Sequence, residues 1–242
     1  MPTRTAKALF DFMIENAKLR KFIKIFVPWV LIPACVAGGV FIFKDKSYAW
    51  ISLCVAILTL VLFYASFERK RTKARRIVVI SVMTALSVLG RFIFAFIPGF
   101  KPITAIVVIT AIWLGGEAGF LVGSLTAVIS NFYFGQGPWT PFQMLAFGLI
   151  GLIAGYLANP LKRSRVLLAI YGVLAGIAFS MIMDVWTVLW MSESFSLAMY
   201  LTAIATAIPY MIMYSVSNVI FLLLLGRPFG EKLERVKIKY GV

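Results

Sequence analysis

Residues 166–190 read VLLAIYGVLAGIAFSMIMDVWTVLW, a run in which Asp184 is the sole charge. A helix needs about 20 predominantly apolar residues to cross a hydrocarbon layer, and this stretch exceeds that. Working outward at the same window, the chain offers eight such spans: 22–43, 48–66, 77–97, 103–116, 118–134, 142–159, 166–190 and 197–225. Of its 242 residues, 62% are hydrophobic and 14% charged, and mean hydropathy is +0.95. So few charges cannot cover a water-facing exterior, so the surface is expected to face lipid. The expected fold class is an all-α polytopic membrane protein.

The net charge of +15 is segregated. Nineteen of the 24 basic residues precede the first span, follow the second and sixth, or trail the last, and Lys24 lies just inside the first span on the same side. Lys44, Lys46 and Lys101 fall on the opposite side, and Arg91 lies within a span. The positive-inside rule then places both termini in the cytoplasm, in a multi-pass protein of the cell membrane. The charge is read as anchoring to anionic inner-leaflet lipid rather than binding nucleic acid. The expected organisation is a cytoplasmic amphipathic segment at 1–21, a transmembrane hairpin with its basic linker at 22–72, a six-helix core at 73–226 and a basic cytoplasmic tail at 227–242. Leu9, Phe10, Met13, Ile14 and Ala17 share one helical face of the first segment, opposite Asp11, Glu15 and Lys18. The first span is too long, and lacks the small-residue cleavage site, to be a removed signal peptide.

The absence of histidine removes histidine triads, histidine proton relays and most zinc sites. Cys35 and Cys54 lack metal-binding spacing; both lie in the outer half of the hairpin, where a disulfide is conceivable but small apolar filler is the expected role. No enzyme, cofactor or metal is expected. No phosphate loop of the G-x-x-x-x-G-K-[ST] type occurs, so energy for any transport must come from ATPase partners or an ion gradient.

Ionisable groups in lipid are costly and point to function. Arg91 and Asp184 each stand about six residues from the outer end of their spans, at one depth. A buried ion pair between them is expected, alongside a role toward a polar ligand. Residues 131–143, NFYFGQGPWTPFQ, form a shaped loop whose Asn131, Gln136, Trp139 and Gln143 are substrate-binding candidates. Trp186 adds aromatic surface. Thr202, Thr206, Tyr210, Tyr214 and Ser217 make a polar stripe expected to need a protein or water partner, which adds Tyr210 and Tyr214 to the candidates; Pro209 is expected to kink or loosen that helix. Gly119, Gly123 and Ala127, Gly151 and Gly155, and Gly172 and Gly176 repeat every four residues and predict close helix packing. Ser81 and Ala85 make a similar pair next to the basic linker, suited to internal packing or to docking another membrane protein.

From about residue 73 to 226 the chain resembles the S components of energy-coupling factor (ECF) transporters. The resemblance rests on the basic entry to the first core helix, the short second span, the turn Gly115, Gly116, Glu117, Ala118, Gly119, and the loop from Asn131 to Gln143. It implies a vitamin captured in an outer-half cavity and delivered through an ECF transmembrane coupling subunit and two ABC-type ATPases. It places Ser81 and Ala85, with Leu89 at the next step, against the coupling subunit, Ser81 departing from the family's Ala. The run FGQGPWTP is similar to S components associated with cobalamin or related corrinoids; riboflavin or a queuosine-type base are alternatives. The competing class is an ion-coupled secondary transporter in which Asp184 binds the ion and Arg91 releases it.

Overall fold

The computed structural model describes residues 17–35, 38, 51, 53–59, 61, 62, 74–191 and 195–240, and their regular structure is helical throughout. Most of the expected amphipathic segment and of the linker 69–73 lies outside the described residues. Helix α1 (Ala17–Phe26) runs into a π-helical turn at Val27–Leu31, where Pro28 lacks the donor that a regular α-turn would use. The core then comprises α2 (Ala74–Ile93), α3 (Ile103–Leu114), α4 (Gly116–Phe134), α5 (Thr140–Tyr156), the short α6 (Ala158–Arg163), α7 (Arg165–Met191) and α8 (Leu197–Tyr240). The all-α polytopic class expected from composition is what the chain adopts: α2, α7 and α8 are each long and apolar enough to cross a membrane.

Helix α3 is the axis of the bundle. Its sequence, ITAIVVITAIWL, has no polar face, and every residue except Trp113 is buried. A helix that is apolar all round belongs inside a bundle; α2, α4, α5 and α8 pack around it. At 12 residues it is about 18 Å long, well short of a 30 Å hydrocarbon layer. It stops because Gly115, at φ 98°, caps it in a backbone conformation that L side chains rarely adopt. Arg76 donates to the Leu114 carbonyl, so a cation also meets the negative end of the helix.

The four-residue glycine spacings do what they predicted. A Cβ on Gly151 would lie 2.6 Å from the backbone of Gly119, and one on Gly123 2.7 Å from that of Phe147, so α4 and α5 approach to backbone contact. Gly172 faces Val219 and Leu222, and a Cβ on Gly176 would come within 2.6 Å of the Ser215 hydroxyl, which brings α7 and α8 together in the same way.

Two expectations are corrected. Cys35 and Cys54 are joined by a disulfide rather than serving as apolar filler, with their Cα atoms 6.9 Å apart. The last helix does not end near 225 but continues to Tyr240 through Pro209 and Pro228, about 66 Å in all. Its far end is held by packing: Leu233 is buried, Gly230 lies against the Trp113 ring where a side chain would collide, and Arg75 donates to the Tyr240 carbonyl. The hairpin, for which the sequence suggested no role, packs on the core. Ile23, Val27, Ile32, Ile51, Val55 and Leu62 bury with Phe120, Phe142, Leu145, Leu152, Trp186 and Leu189 of α4, α5 and α7.

Candidate functional site

Because α3 is short, the chain between α2 and α3 folds back toward the bundle interior, and a recess remains beyond the first turn of α3. Gly99, Lys101, Ile103 and Thr104 form one wall, with Arg91 from α2, Gln143 and Phe147 from α5, Phe179 from α7, and Tyr214 and Asn218 from α8. The recess is small, with about 70 Å³ of room, and open at its mouth. Phe147 and Phe179 stack at 4.5 Å, and Tyr214 meets Phe179 edge-on at 5.2 Å, so one side is an aromatic wall. Lys101 is anchored through its backbone, since its N–H donates to the Ser217 hydroxyl, which donates in turn to the Lys101 carbonyl. The N-terminus of α3 has no side-chain cap, which adds the positive end of a helix to the same wall.

Above the recess stands a polar scaffold centred on Asn131, itself 1% exposed. Its amide oxygen accepts from Arg91 at 2.8 Å; its amide nitrogen donates to Thr140 at 2.9 Å and to Gln143 at 2.8 Å. Thr140 donates to Gln136, and Gln136 donates to the Val128 carbonyl, which closes the loop over the C-terminus of α4. Gly135, at φ 105°, makes the reversal possible. Asn131 thus has both ends of its amide occupied by protein and positions Arg91 and Gln143.

The ion pair expected between Arg91 and Asp184 does not form. Arg91 donates to Ser130 and Asn131 and stacks over the Phe134 ring at 4.5 Å. Asp184 is buried, with Ser180 one turn earlier beside its carboxylate, and its Oδ2 has no hydrogen-bond partner. Equal depth on two helices does not imply equal azimuth; α4, not α7, supplies the groups that hold Arg91. The ion-coupled alternative, which relied on these two residues acting together, loses that support.

Of the residues singled out in the sequence, Arg91, Gln143 and Tyr214 line the recess. Asn131 and Gln136 belong to the scaffold above it, and Trp139 lies beside Gly137 in the same loop. Trp186 packs on Phe142 in the cluster that the hairpin covers, while Tyr210 is exposed on the outside of α8. The stripe that led to Tyr210 needs no partner along its first half, because Thr202 and Thr206 donate to carbonyls one turn back on their own helix. Lys101, Thr104, Phe147, Phe179 and Asn218 were missed. Asn218 was within reach: a four-residue step from Tyr214 lands on it, whereas the stripe was continued to Ser217. Phe147 and Phe179 carried no signal, being two of many apolar residues in apolar helices.

On α2, Ser81, Ala85 and Leu89 are all exposed and form one outward line with Val78 and Val82. Among the described residues none of the three is buried.

The described chain is thus a helical bundle with membrane-length helices, an aromatic and polar recess at one end, and a line of exposed residues on one outer helix. The family model described as ECF-type riboflavin transporter, S component, matches residues 71–235. The chain therefore belongs to that S-component family and is the substrate-binding subunit of an ECF vitamin transporter, working with the membrane and ATPase subunits of the ECF module. No curated relative and no solved structure matched the chain. The hairpin 22–66 precedes the matched region and is an addition to it.

Proposed function

We propose that the recess captures a flavin-class vitamin from outside the cell and that both termini lie in the cytoplasm. The observation that carries the substrate reading is the aromatic wall of Phe147, Phe179 and Tyr214 facing the amides of Gln143 and Asn218. A flat heteroaromatic ring system stacks on such a wall, and its ring carbonyls and nitrogens meet amide donors and acceptors. Gln143 accepts from Asn131 through its oxygen, and its amide nitrogen makes no hydrogen bond among the described residues. The flavin reading therefore rests on this wall and these amides. The match to a family described by riboflavin agrees with it, while the corrinoid expectation rested on the FGQGPWTP run, whose polar residues are engaged in the scaffold.

The line Ser81, Ala85, Leu89 on α2 supports docking of the coupling membrane subunit at that face, near the basic end of the bundle. The segregation of cations to that end supports the proposed orientation.

The test is reconstitution. The purified chain should quench flavin fluorescence on binding but should not accumulate flavin in liposomes with ATP. Accumulation should appear when the coupling subunit and its ATPases are added. ATP-driven uptake by the chain alone would overturn the division of labour, and failure to bind any flavin would overturn the substrate.

A further inference from the structure

We propose that the recess is an anion subsite: the captured molecule carries an acidic group, a phosphate monoester or a carboxylate, that lies between the Arg91 guanidinium and the Lys101 ammonium. The inference rests on reading the chain as a vitamin-capturing subunit and specifies the chemistry of what it captures.

Both cations line the recess, and both lie over one ring, Phe134, with the Arg91 guanidinium carbon 4.5 Å and the Lys101 nitrogen 5.7 Å from its centroid. Two like charges are thus held close together in a partly desolvated place. The groups that hold Arg91 are neutral: a hydroxyl from Ser130 and an amide oxygen from Asn131. Such acceptors occupy N–H groups without cancelling charge, and an arginine has five N–H donors to place. Lys101 has three, and among the described residues its ammonium meets only the Phe134 ring.

The remaining polar side chains on the walls, Thr104, Gln143, Tyr214 and Asn218, are neutral as well. Asp184 influences Tyr214 from the α7 side but forms an ion pair with neither cation. Burial, and then the adjacent Arg91 charge, hold the Lys101 ammonium below the ordinary lysine value, which is the cost of keeping the pair together without an anion. An acidic group entering between them reverses that cost, and its oxygens take the open donors as charge-assisted hydrogen bonds.

For a flavin this selects the form with a phosphate on its side chain over the uncharged vitamin. Fluorescence-quenching titrations of the purified chain with riboflavin and with flavin mononucleotide, at fixed ionic strength, decide the matter. The phosphorylated form should bind roughly ten-fold tighter, the size of one hydrogen bond to a charged group. Lys101→Gln should abolish that preference, read as the ratio of the two affinities, and Lys101→Arg should retain it. Equal or weaker binding of the phosphorylated form by the parent chain would overturn the proposal.

If neither flavin binds, the flavin reading fails by itself, and the subsite is judged by thermal unfolding with phenyl phosphate, benzoate or benzyl alcohol. Stabilisation by an acid but not by the alcohol, lost in Lys101→Gln, supports the subsite, and the stronger acid identifies phosphate or carboxylate. No stabilisation by either acid overturns it.

Discussion

The α4–α5 contact and the outer face of α2 are both written in small residues, yet they end up opposite in kind. Between α4 and α5, Gly119, Gly123, Gly151 and Gly155 bring two backbones together until no side chain can be added. On α2, Ser81 and Ala85 stand exposed beside Val78, Val82 and Leu89 among the described residues. Four-residue spacing of small residues therefore marks a face that another helix can approach, without saying whether that helix belongs to the same chain. What separates the two is burial of the flanking residues. Around the α4 glycines, Phe120, Leu121 and Val122 are buried; around Ala85, the large residues on the same side are not.

The comparison breaks most visibly at Gly151. Gly151→Leu would drive a side chain into the Gly119 backbone, which a flexible neighbour cannot relieve. Overpacking of a tight core costs about 1–3 kcal/mol even where side chains can shift. Here the expected outcome is loss of the folded chain, read as failure to elute as a monodisperse species in mild detergent; a well-folded Gly151→Leu protein would show that α4 and α5 are not sealed.

A smaller effect is expected at Asn131, where the scaffold meets the sealed pair. Asn131→Ala removes an acceptor from Arg91 and two donor bonds to α5. At about 1 kcal/mol for each neutral bond and more for the charged one, the loss should be roughly 3 kcal/mol. It should lower the thermal midpoint and weaken ligand binding together, since Arg91 and Gln143 lose their positioning; unchanged binding in a destabilised protein would separate the scaffold from the recess.

The smallest effect on the fold is expected at Ala85. Ala85→Trp adds bulk to an exposed position and should change stability by no more than about 0.5 kcal/mol. Ligand binding should be retained and ATP-driven transport with the complete module lost. Normal transport would place the coupling contact elsewhere, and equal loss of binding and transport would mean that Ala85 supports the fold after all.

The hairpin extends the contrast between covered and open faces. It lies on α4, α5 and α7, where Trp186 and Phe142 are buried with it. That is why Trp186, which looked like an aromatic for the ligand, is a packing residue.

The sequence by itself determined the membrane setting, the run of apolar helices, and the close approach of α4 to α5 and of α7 to α8. These follow from composition, from runs measured against the hydrocarbon thickness, and from periodicity along single helices. Tertiary structure alone decided which groups meet. Arg91 and Asp184 share a depth, yet Arg91 binds Ser130 and Asn131; Thr206 shares a stripe with Tyr214, yet only Tyr214 reaches the recess. Depth is set by distance along a helix and can be counted, but azimuth depends on how each helix is rotated against its neighbours. That rotation is set by packing among residues from distant parts of the chain, which is why Lys101 and Asn218 come together only in the folded bundle.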